Sequence, residues 1–529
     1  MTPTPAPKLP DDIAQCHAMI ESLAQDNRQL HARVDFLLRR LFGSRSERLD
    51  PNQLVLAGVE GEAAPPPAPE EAPPTAPAKR KGHGRKRLAD DLPRKRVVHD
   101  IPDEEKVCPN GNPRVVIGED VSEQLDYMPA SYFVIEHVRP VYACTDPTCE
   151  CGVRQAAKPA QPIEKGIAGP GLLAHVIVSK YCDHLPLHRQ ERIIARHGVE
   201  VSRKTLCGWV IQTAEVLWPV VDAMRAEVLR SRVIHTDDTP VQVQDPEKKR
   251  TTRKAYLWPY VGDADHPYTI FDYTPTRSRE GPERFLAQFT GEEHRPRYLQ
   301  CDAYPGYDGL FAKDRHCLEV ACWAHARRKF YDARTSDSIR AHHALTLIGE
   351  LYDIEREAKQ CDDDERLALR REHAVPKLAN IGQWLLETKA EVLPKSPVGQ
   401  AVDYALSNWK ALNRYTAQAC LAIDNNAAEQ AVRAIALGRK NWLFFGSDRG
   451  GHAAAIHFTL IASARRHDLD PFAYLRDLLT RIPTHPNHRI HELFPDHWKC
   501  LAQSQANTAA DNHASLDATP EMPATPPTI

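Results

Sequence analysis

A chain of 529 residues exceeds the size that one hydrophobic core usually reaches, so we expect several domains. The formal charge is only −3, so any affinity for nucleic acids must come from local patches. The thirteen cysteines form no even disulfide framework, and no charged and apolar leader opens the sequence, which indicates a reducing cytoplasm. No apolar run approaches the roughly 20 residues that a membrane helix needs, so no membrane partner is expected.

Residues 1–50 contain a seven-residue repeat. From residue 13 to residue 41 the first and fourth positions of each heptad are mostly apolar, with one asparagine at a central first position. A buried asparagine there favours a parallel, two-stranded coiled coil. The alternative is an amphipathic helix packed on the protein's own core. The repeat predicts a leucine zipper that forms a dimer through Ile20, Leu23, Asn27, Leu30, Val34 and Leu37.

Residues 51–100 have the composition of a linker. Seven prolines between Pro65 and Ala78 exclude helix and sheet and predict a stiff, extended segment. Between Lys79 and Arg96, nine Lys or Arg residues face two Asp residues, a local charge of +7. Such a block is either a solvated tail or an arm that lies along DNA phosphates. The predicted DNA contacts are Lys79, Arg80, Lys81, Arg85, Lys86 and Arg87.

Residues 101–165 contain four cysteines that could lie across a β-hairpin. Four thiolates would satisfy a tetrahedral Zn²⁺ ion, with Cys108 on one side and Cys144, Cys149 and Cys151 on the other. The first side has one cysteine where a zinc ribbon has two, and the spacing on the second side is irregular. The segment therefore predicts a degenerate, zinc-finger-like hairpin domain, with bound zinc as one alternative and the remnant of a site as the other.

Residues 166–228 have the pattern of a helix-turn-helix. An amphipathic helix is followed by a turn at Gly198 and by Ser202, which is suited to cap a second helix. That helix carries Arg203 and Lys204 in its first turn, where base edges and phosphates would be contacted. Any two-helix hairpin shares this pattern, so DNA binding by this region is a prediction and a plain helical hairpin is the alternative.

Residues 229–331 alternate as strands and end in a helix. Three consecutive strands, a short helix, a fourth strand, and a fifth strand with a helix follow the order of the ribonuclease H-like fold. Asp237 ends the first strand and Asp302 ends the fourth, which is its neighbour in that fold. Two carboxylates at adjacent strand ends are suited to share Mg²⁺ ions. Residues 332–420 show no strand alternation and predict an all-helical insertion.

Residues 421–500 predict the second part of the core and a C-terminal helical segment. A helix capped by Asp424 or Asn425 would place Asn425, Glu429 and Arg433 on one face. The alternative for Glu429 and Arg433 is a surface ion pair. The segment "GSDRGG" lacks a P-loop lysine and predicts a turn before a helix from about His452. Residues 501–529 are polar and proline-spotted, which predicts disorder.

Several of these segments resemble one known family. The transposases of the insertion sequence 66 family, which have a DDE catalytic site, are similar in order and wording to "HTDDTPV", "CDAYPGYD", "CWAHARRKF", "DNNAAEQAVR" and "GSDRGGHAAA". The resemblance extends from "LFGSRSERLDPNQL" through "KYCDHLPLHRQE" to "IHELFPDHWK". It implies a multidomain α/β protein with a ribonuclease H-like, mixed-sheet catalytic core.

The resemblance implies a catalytic triad of Asp237, Asp302 and Glu429 that holds two Mg²⁺ or Mn²⁺ ions. Asp238 lies where the family commonly has glutamate, so we interpret it as a neighbour and not a ligand. The family tends to have a pair of cysteines where this chain has only Cys108, so the resemblance does not decide whether Zn²⁺ is bound. Side chains that could contact DNA or support the site, with a structural role as the alternative, are His235, His325, Arg327, Arg328 and Arg433.

The implied function is metal-dependent cleavage and joining of DNA by a bacterial transposase. It would bind the terminal inverted repeats of its mobile element as a homodimer or larger assembly, together with accessory proteins of that element. Its location would be the cytoplasm, at the nucleoid when bound to DNA. The alternatives are a DNA-binding regulator that no longer cuts, and a nuclease that acts on RNA–DNA hybrids.

Overall fold

The computed structural model describes residues 132–142, 154–155, 157–164, 166–245, 247 and 251–498. Contacts divide the chain into two units, Met1–Tyr127 and Met128–Ile529, and every described residue belongs to the second. The predicted zipper, the basic linker, the four cysteines of the hairpin domain and the C-terminal tail therefore lie outside the described residues. Among the helices that are described, none is long and apolar enough to cross a membrane.

Two sheets are present in the described part of the chain. The first pairs β1 (Val141–Tyr142) with β2 (Arg154–Gln155), antiparallel, on either side of the segment that carries Cys144, Cys149 and Cys151. The second is a six-stranded mixed sheet. Its strands are β3 (Val233–Thr236), β4 (Thr239–Gln244), β5 (Thr252–Val261), β6 (Thr269–Thr274), β7 (Arg297–Cys301) and β8 (Cys317–Ala321).

The large sheet has an antiparallel half and a parallel half. β5 pairs antiparallel with β6 along one edge and with β3 and β4 along the other. β3 pairs parallel with β7, which pairs parallel with β8. Because parallel neighbours end at the same edge of a sheet, the residues that follow β3 and β7 are brought side by side. Asp237 and Asp302 occupy those two positions.

Thirteen α-helices are described. They are α1 (Pro170–Tyr181), α2 (Leu187–Ala195), α3 (Arg203–Val228), α4 (Glu280–Phe285), α5 (Trp323–Ala333), α6 (Ser338–Ala358), α7 (Asp363–Leu369), α8 (Val375–Glu391), α9 (Pro397–Ser407), α10 (Trp409–Asn413), α11 (Asn426–Trp442), α12 (Asp448–Arg466) and α13 (Pro471–Arg481). A π-helical turn, Arg370–Ala374, joins α7 to α8. Helices α6 to α10 lie within the segment for which an all-helical insertion is predicted.

The buried side chains form two main cores. In the first, α1 to α3, α12 and α13 pack with the antiparallel part of the sheet. In the second, α5 and the helices of residues 338–413 pack against the parallel strands through Val233, Tyr298 and Val320. Different helices thus cover the sheet in the two cores.

The segment predicted as a helix-turn-helix forms a helical hairpin. Gly198 has φ +76, and the Ser202 hydroxyl accepts a hydrogen bond from the backbone N–H of Thr205, as predicted for the turn and the cap. Arg203 and Lys204 are exposed at the start of α3. The helix continues for 26 residues, and its apolar face is buried in the same core as the sheet.

The helix predicted to begin near His452 begins earlier, at Asp448. The Ser447 hydroxyl accepts a hydrogen bond from the N–H of Gly450 and so caps the helix within the "GSDRGG" segment. Gly451 faces the ring of Tyr273, where an added Cβ would lie 2.4 Å from a ring carbon. The glycine therefore permits close packing inside a helix, and the prediction of a turn at this position was wrong.

A buried ion pair organises the helical segment. The Arg370 side chain, 2% exposed, donates two hydrogen bonds of 2.7 Å to the carboxylate of Glu355. Its remaining donors bind the backbone carbonyls of Tyr415, Gln418 and Leu421. Arg370 thus fixes the chain that leads from the helical segment back to the sheet.

Replacing Arg370 by alanine is expected to lower the free energy of unfolding by about 3–5 kcal/mol, because a buried carboxylate loses its partner. Urea titration followed by circular dichroism measures the change. Arg356→Ala is the matched control, since Arg356 pairs with Asp353 at the surface of the same segment, and it should leave the transition unchanged. Equal effects of the two substitutions would contradict the structural role assigned to Arg370.

Candidate active site

The site begins at a break in the strand that runs along β5. The registers of β3 and β4 against β5 are continuous, so Asp237 and Asp238 fall opposite Pro259 and Trp258. Proline has no N–H and cannot donate to the ladder, which allows the opposing strand to leave the sheet at this point. The two aspartates therefore interrupt the strand, which resumes at Thr239.

Asp237 lies among other carboxylates. Oxygen atoms of Asp237, Asp238 and Asp302 all lie within 4.8 Å of one another. Burial raises the pKa of Asp237 to about 7, against the hydrogen bond from the N–H of Asp238, and the charges of Asp302, Asp238 and Glu429 add to the rise. A carboxylate whose neighbours are mostly negative is stabilised by a cation.

Asp302 follows β7 and is held in a tight turn. Its carboxylate accepts a hydrogen bond of 3.2 Å from the N–H of Tyr304, and its carbonyl accepts one of 3.1 Å from the hydroxyl of Tyr404 in α9. Ala303, between Asp302 and Tyr304 in the sequence, has φ +61, a left-handed conformation that is strained for a residue with a side chain. A helix of the predicted insertion thus supports the position of an acidic residue.

Asp238 differs from Asp237 in having a partner. The guanidinium of Arg277 donates a hydrogen bond of 2.8 Å from Nε to Oδ1 of Asp238, and its Nη2 lies 3.8 Å from Oδ2 of Asp302. Arg277 also lies over the ring of Tyr304, 4.2 Å from its centroid. Burial raises the pKa of Asp238, and the hydrogen bond and charge of Arg277 oppose that rise. Asp238 thus has a cationic partner within the protein, which supports its interpretation as a neighbour of the site.

Asn425 connects three elements of the site. The side chain is fully buried, and its Nδ2 donates a hydrogen bond of 2.7 Å to the carbonyl of Thr236, the last residue of β3. Its Oδ1 lies 3.2 Å from Nδ1 of His235, and its backbone N–H donates to Sγ of Cys322 at the start of α5. Burial lowers the pKa of His235 to about 4, so the ring is neutral and donates through Nδ1 to the amide oxygen.

The residues before Asn425 are held in the same way by β7. The fully buried Gln300 donates from Nε2 to the carbonyls of Ala422 and Asp424, at 2.6 and 2.8 Å. The N–H of Trp323 binds the carbonyl of Ile423. The start of α11 is therefore fixed to β3, β7 and α5 at once.

Glu429 lies in the first turn of α11, four residues after Asn425. Its side chain is 39% exposed, and Oε1 lies 3.8 Å from Nδ1 of His325. Its negative charge adds to the raised pKa of Asp237. Arg433, predicted on the same face, is exposed.

Three further outcomes concern residues named from the sequence. Asn425 is the N-cap residue of α11, as one of the two predicted caps, but its side chain binds β3 and His235 and makes no cap hydrogen bond. His235 is occupied by that contact and supports the site. Arg328 is exposed at the surface of α5.

Sequence reasoning missed Arg277 and Gln300. Arg277 lies in a polar loop 39 residues from the aspartate that it binds, and nothing in its surroundings marks it. Gln300 offered a signal, because it is a polar residue within an otherwise apolar strand directly before Asp302. A buried polar side chain requires hydrogen-bond partners, and these are found in the chain that leads to Glu429.

The donor set suits a hard divalent cation. Carboxylate oxygens from two neighbouring strand ends and from the first turn of a helix are the ligands that Mg²⁺ and Mn²⁺ prefer. The uncompensated charge around Asp237 is the physical signature of a site built for such an ion. The residues present therefore fit the cofactor that the sequence predicts.

A family model described as "Transposase IS66 family" matches residues 165–453. The chain belongs to the IS66 transposase family. This membership confirms the predicted resemblance and indicates a transposase, with DNA as its partner and a divalent metal ion as its cofactor. Further IS66 models match residues 459–495 (the C-terminal element), 105–150 (described as a zinc-finger binding domain of transposase IS66) and 29–97 (described as transposase C of IS166 homeodomain).

Relatives of this IS66 family chain include two proteins of Sinorhizobium fredii. The uncharacterized protein y4hP is 34% identical, over 91% of this chain and 90% of the relative. The uncharacterized protein y4jD is 33% identical, over 94% of this chain and 99% of the relative. The likeness thus spans nearly the whole of each protein.

The electrostatics of the site make a prediction about stability without metal. The pKa of Asp237 is higher in the folded chain, at about 7, than the roughly 3.9 of an unfolded chain. Its charged form therefore destabilises the fold above pH 7, and protonation removes this cost as the pH falls. In EDTA at pH 8, Asp237→Asn is expected to raise the free energy of unfolding by roughly 1–3 kcal/mol, with a smaller gain at pH 5.

The matched control is Asp308→Asn, which removes an exposed carboxylate in the helical turn after Asp302 and should leave the unfolding midpoint unchanged at both pH values. Thermal unfolding of the two variants and the wild type gives the comparison. A loss of stability at pH 8 in Asp237→Asn would contradict the account of uncompensated charge.

Proposed function

We propose that this IS66 family member cleaves the ends of its mobile element and joins them to target DNA, with Asp237, Asp302 and Glu429 as the catalytic residues. The observation that carries the proposal is that carboxylate oxygens of Asp237 and Asp302, at the ends of β3 and β7, lie within 4.8 Å of one another, while the charge of Glu429 in α11 adds to the raised pKa of Asp237. A structural ion pair would require a cationic partner, and among the described residues Asp237 has no ion pair like that of Asp238 with Arg277.

The strand order supports a ribonuclease H-like core. The strand formed by β3 and β4, which Asp237 and Asp238 interrupt, is followed by the antiparallel strands β5 and β6 and then by β7 and β8, which run parallel to β3. Asp302 follows β7. A helical segment then precedes the helix that carries Glu429. This agrees with the architecture that the sequence predicts for the catalytic core with an insertion.

The three carboxylates would hold two Mg²⁺ or Mn²⁺ ions. When bound, such ions supply the positive charge that activates an attacking oxygen and stabilises a leaving oxygen on phosphorus. Asp237 gives up its proton to become a ligand, and Arg277 keeps Asp238 paired and out of this set. Glu429 is partly exposed, so a phosphodiester can approach it from solvent.

DNA recognition is assigned to the regions that precede the core. Arg203 and Lys204 are exposed at the start of α3 and available to phosphates or bases. We extend the proposal to the basic residues 79–87, to a zipper-mediated dimer within residues 1–50, to accessory proteins of the same element, and to a zinc ion at Cys108, Cys144, Cys149 and Cys151. The match of residues 105–150 to a model described as a zinc-finger binding domain supports the assignment of zinc, and the match of residues 29–97 to another IS66 model supports a transposase role for the N-terminal part.

The direct test compares DNA cleavage by charge-neutral variants. With labelled element-end DNA and Mg²⁺ or Mn²⁺, Asp302→Asn and Glu429→Gln should each lower the cleavage rate at least about a hundredfold, because a metal ligand is lost. DNA binding, measured by fluorescence anisotropy, should persist. Asp308→Asn is the control, since Asp308 is an exposed carboxylate in the helical turn after Asp302.

Accessory proteins of the element are added when they are in hand. Cleavage by the wild type and the Asp308 variant alone supports the proposal. Equal cleavage by all four proteins contradicts the triad. Binding without cleavage by any of them, under conditions in which a related transposase is active, would favour the regulator that no longer cuts.

A second prediction concerns Asn425 as a positioning residue. Asn425→Ala removes the hydrogen bonds to Thr236 and His235, so Glu429 should be held less firmly beside the aspartates. The cleavage rate at saturating DNA is expected to fall roughly 10- to 100-fold, while DNA affinity is unchanged and more Mn²⁺ is needed for half-maximal rate. An unchanged Mn²⁺ requirement with reduced stability would show a purely structural role.

A further inference from the structure

A second group of possible metal ligands surrounds Glu429. A sulfur of Cys322, a ring nitrogen of His325 and a carboxylate oxygen of Glu429 all lie within 4.8 Å of one another. Cys322 precedes α5, His325 lies in the first turn of that helix, and Glu429 lies in the first turn of α11. Thus the two helix starts that Asn425 ties together also bring these three side chains into one place.

A nitrogen of the His325 ring is available to bind a metal ion. Its Nδ1 atom is buried and has no hydrogen-bond partner among the described residues. The nearest acidic atom is Oε1 of Glu429, 3.8 Å away, which is too far for a hydrogen bond. A buried polar atom without a partner costs free energy, so the position of this nitrogen calls for a ligand.

The sulfur of Cys322 is buried beside backbone N–H groups at the start of α5. The side chain is fully buried, and Sγ accepts a hydrogen bond of 3.2 Å from the backbone N–H of Asn425. Burial raises the pKa of the Cys322 thiol to about 12, against the hydrogen bonds from the backbone N–H groups of Asn425, His325 and Ala324. Without an ion the sulfur is therefore a thiol, and a cation that binds it displaces the proton, while the backbone donors orient the sulfur.

The mixed donor set selects the kind of ion. Sulfur, imidazole nitrogen and one carboxylate oxygen together are suited to Zn²⁺, whereas Mg²⁺ takes oxygen ligands almost exclusively. Two ligands on a tetrahedral zinc ion, with bonds of roughly 2.0–2.1 Å, lie about 3.3 Å apart. The distance from Nδ1 of His325 to Oε1 of Glu429 is 3.8 Å, so a small movement of either side chain would reach that separation.

We propose that Cys322, His325 and Glu429 bind a Zn²⁺-class cation, and that this ion inhibits DNA cleavage by drawing Glu429 away from Asp237 and Asp302. The inhibitory half of the proposal rests on the proposed catalytic role of Glu429. The binding half does not, since it depends only on the three ligand atoms. None of these three ligands is among the four cysteines of residues 101–165.

The binding half is tested by zinc content. The full chain is equilibrated with ZnCl₂, freed of excess ion and assayed for zinc per chain. Cys322→Ser is expected to hold one zinc ion fewer than the wild type, and His325→Gln to lose the same ion. Cys207→Ser is the matched control, because Cys207 is an exposed cysteine on α3, and it should keep the wild-type content.

Equal zinc content in the wild type, Cys322→Ser and His325→Gln would overturn the site. Thermal unfolding of each variant is recorded in parallel. If Cys322→Ser fails to fold, His325→Gln decides the question, because the His325 side chain is 30% exposed and its replacement disturbs the core less. Replacement of zinc by Co²⁺ adds a spectroscopic check. The absorption band of a sulfur-to-cobalt bond at this site should be lost in Cys322→Ser and kept in Cys207→Ser.

The inhibitory half is tested in the Mg²⁺ cleavage assay. Added Zn²⁺ should inhibit the wild type, and His325→Gln should need at least about tenfold more Zn²⁺ for the same fractional inhibition, as expected when a metal ligand is lost. Identical inhibition of both proteins would refute the competition for Glu429. A chain that loses one zinc in Cys322→Ser but never cleaves DNA would instead uphold the zinc site and count against the proposed function.

Discussion

The arrangement of the candidate active site depends on the buried side chain of Asn425. Its side-chain amide donates a hydrogen bond to the carbonyl of Thr236 at the end of β3 and accepts one from the neutral ring of His235. Its backbone N–H donates a hydrogen bond to the sulfur of Cys322. Because Asn425, Thr236 and Cys322 are buried, loss of one of these contacts would leave a polar group unsatisfied. These hydrogen bonds also fix the position of Glu429, which lies one helical turn after Asn425.

The charges of the site are arranged unequally around that fixed frame. Asp238 is paired with Arg277, whereas Asp237 is surrounded mainly by other carboxylates and has a pKa of about 7. A fold selected for stability alone would pair or remove such a group, so the uncompensated charge marks the place where a cation is to be bound. The left-handed Ala303 beside Asp302 is a second local cost at the same place.

Local sequence signals predicted much of this structure. The strands that end at Asp237 and Asp302, the cap at Ser202 and the helical segment after residue 332 follow from patterns within a few residues of each feature. The pairing of Arg277 with Asp238 could not be predicted, because it joins residues that meet only when the sheet forms. The start of α12 at Asp448 was missed because two glycines in a first helical turn depend on tertiary packing, which no local pattern reveals. The zipper, the basic arm and the cysteine hairpin remain predictions.

The central claim is that the frame around Asn425 brings Glu429 to the same cation as Asp237 and Asp302. The most direct measurement is anomalous X-ray scattering from crystals of the chain soaked in Mn²⁺. The account predicts manganese within coordination distance of carboxylate oxygens of all three residues, with Asp238 still bound to Arg277. Manganese held by Asp237 and Asp238, with Glu429 remote from it and Arg277 displaced, would contradict the account.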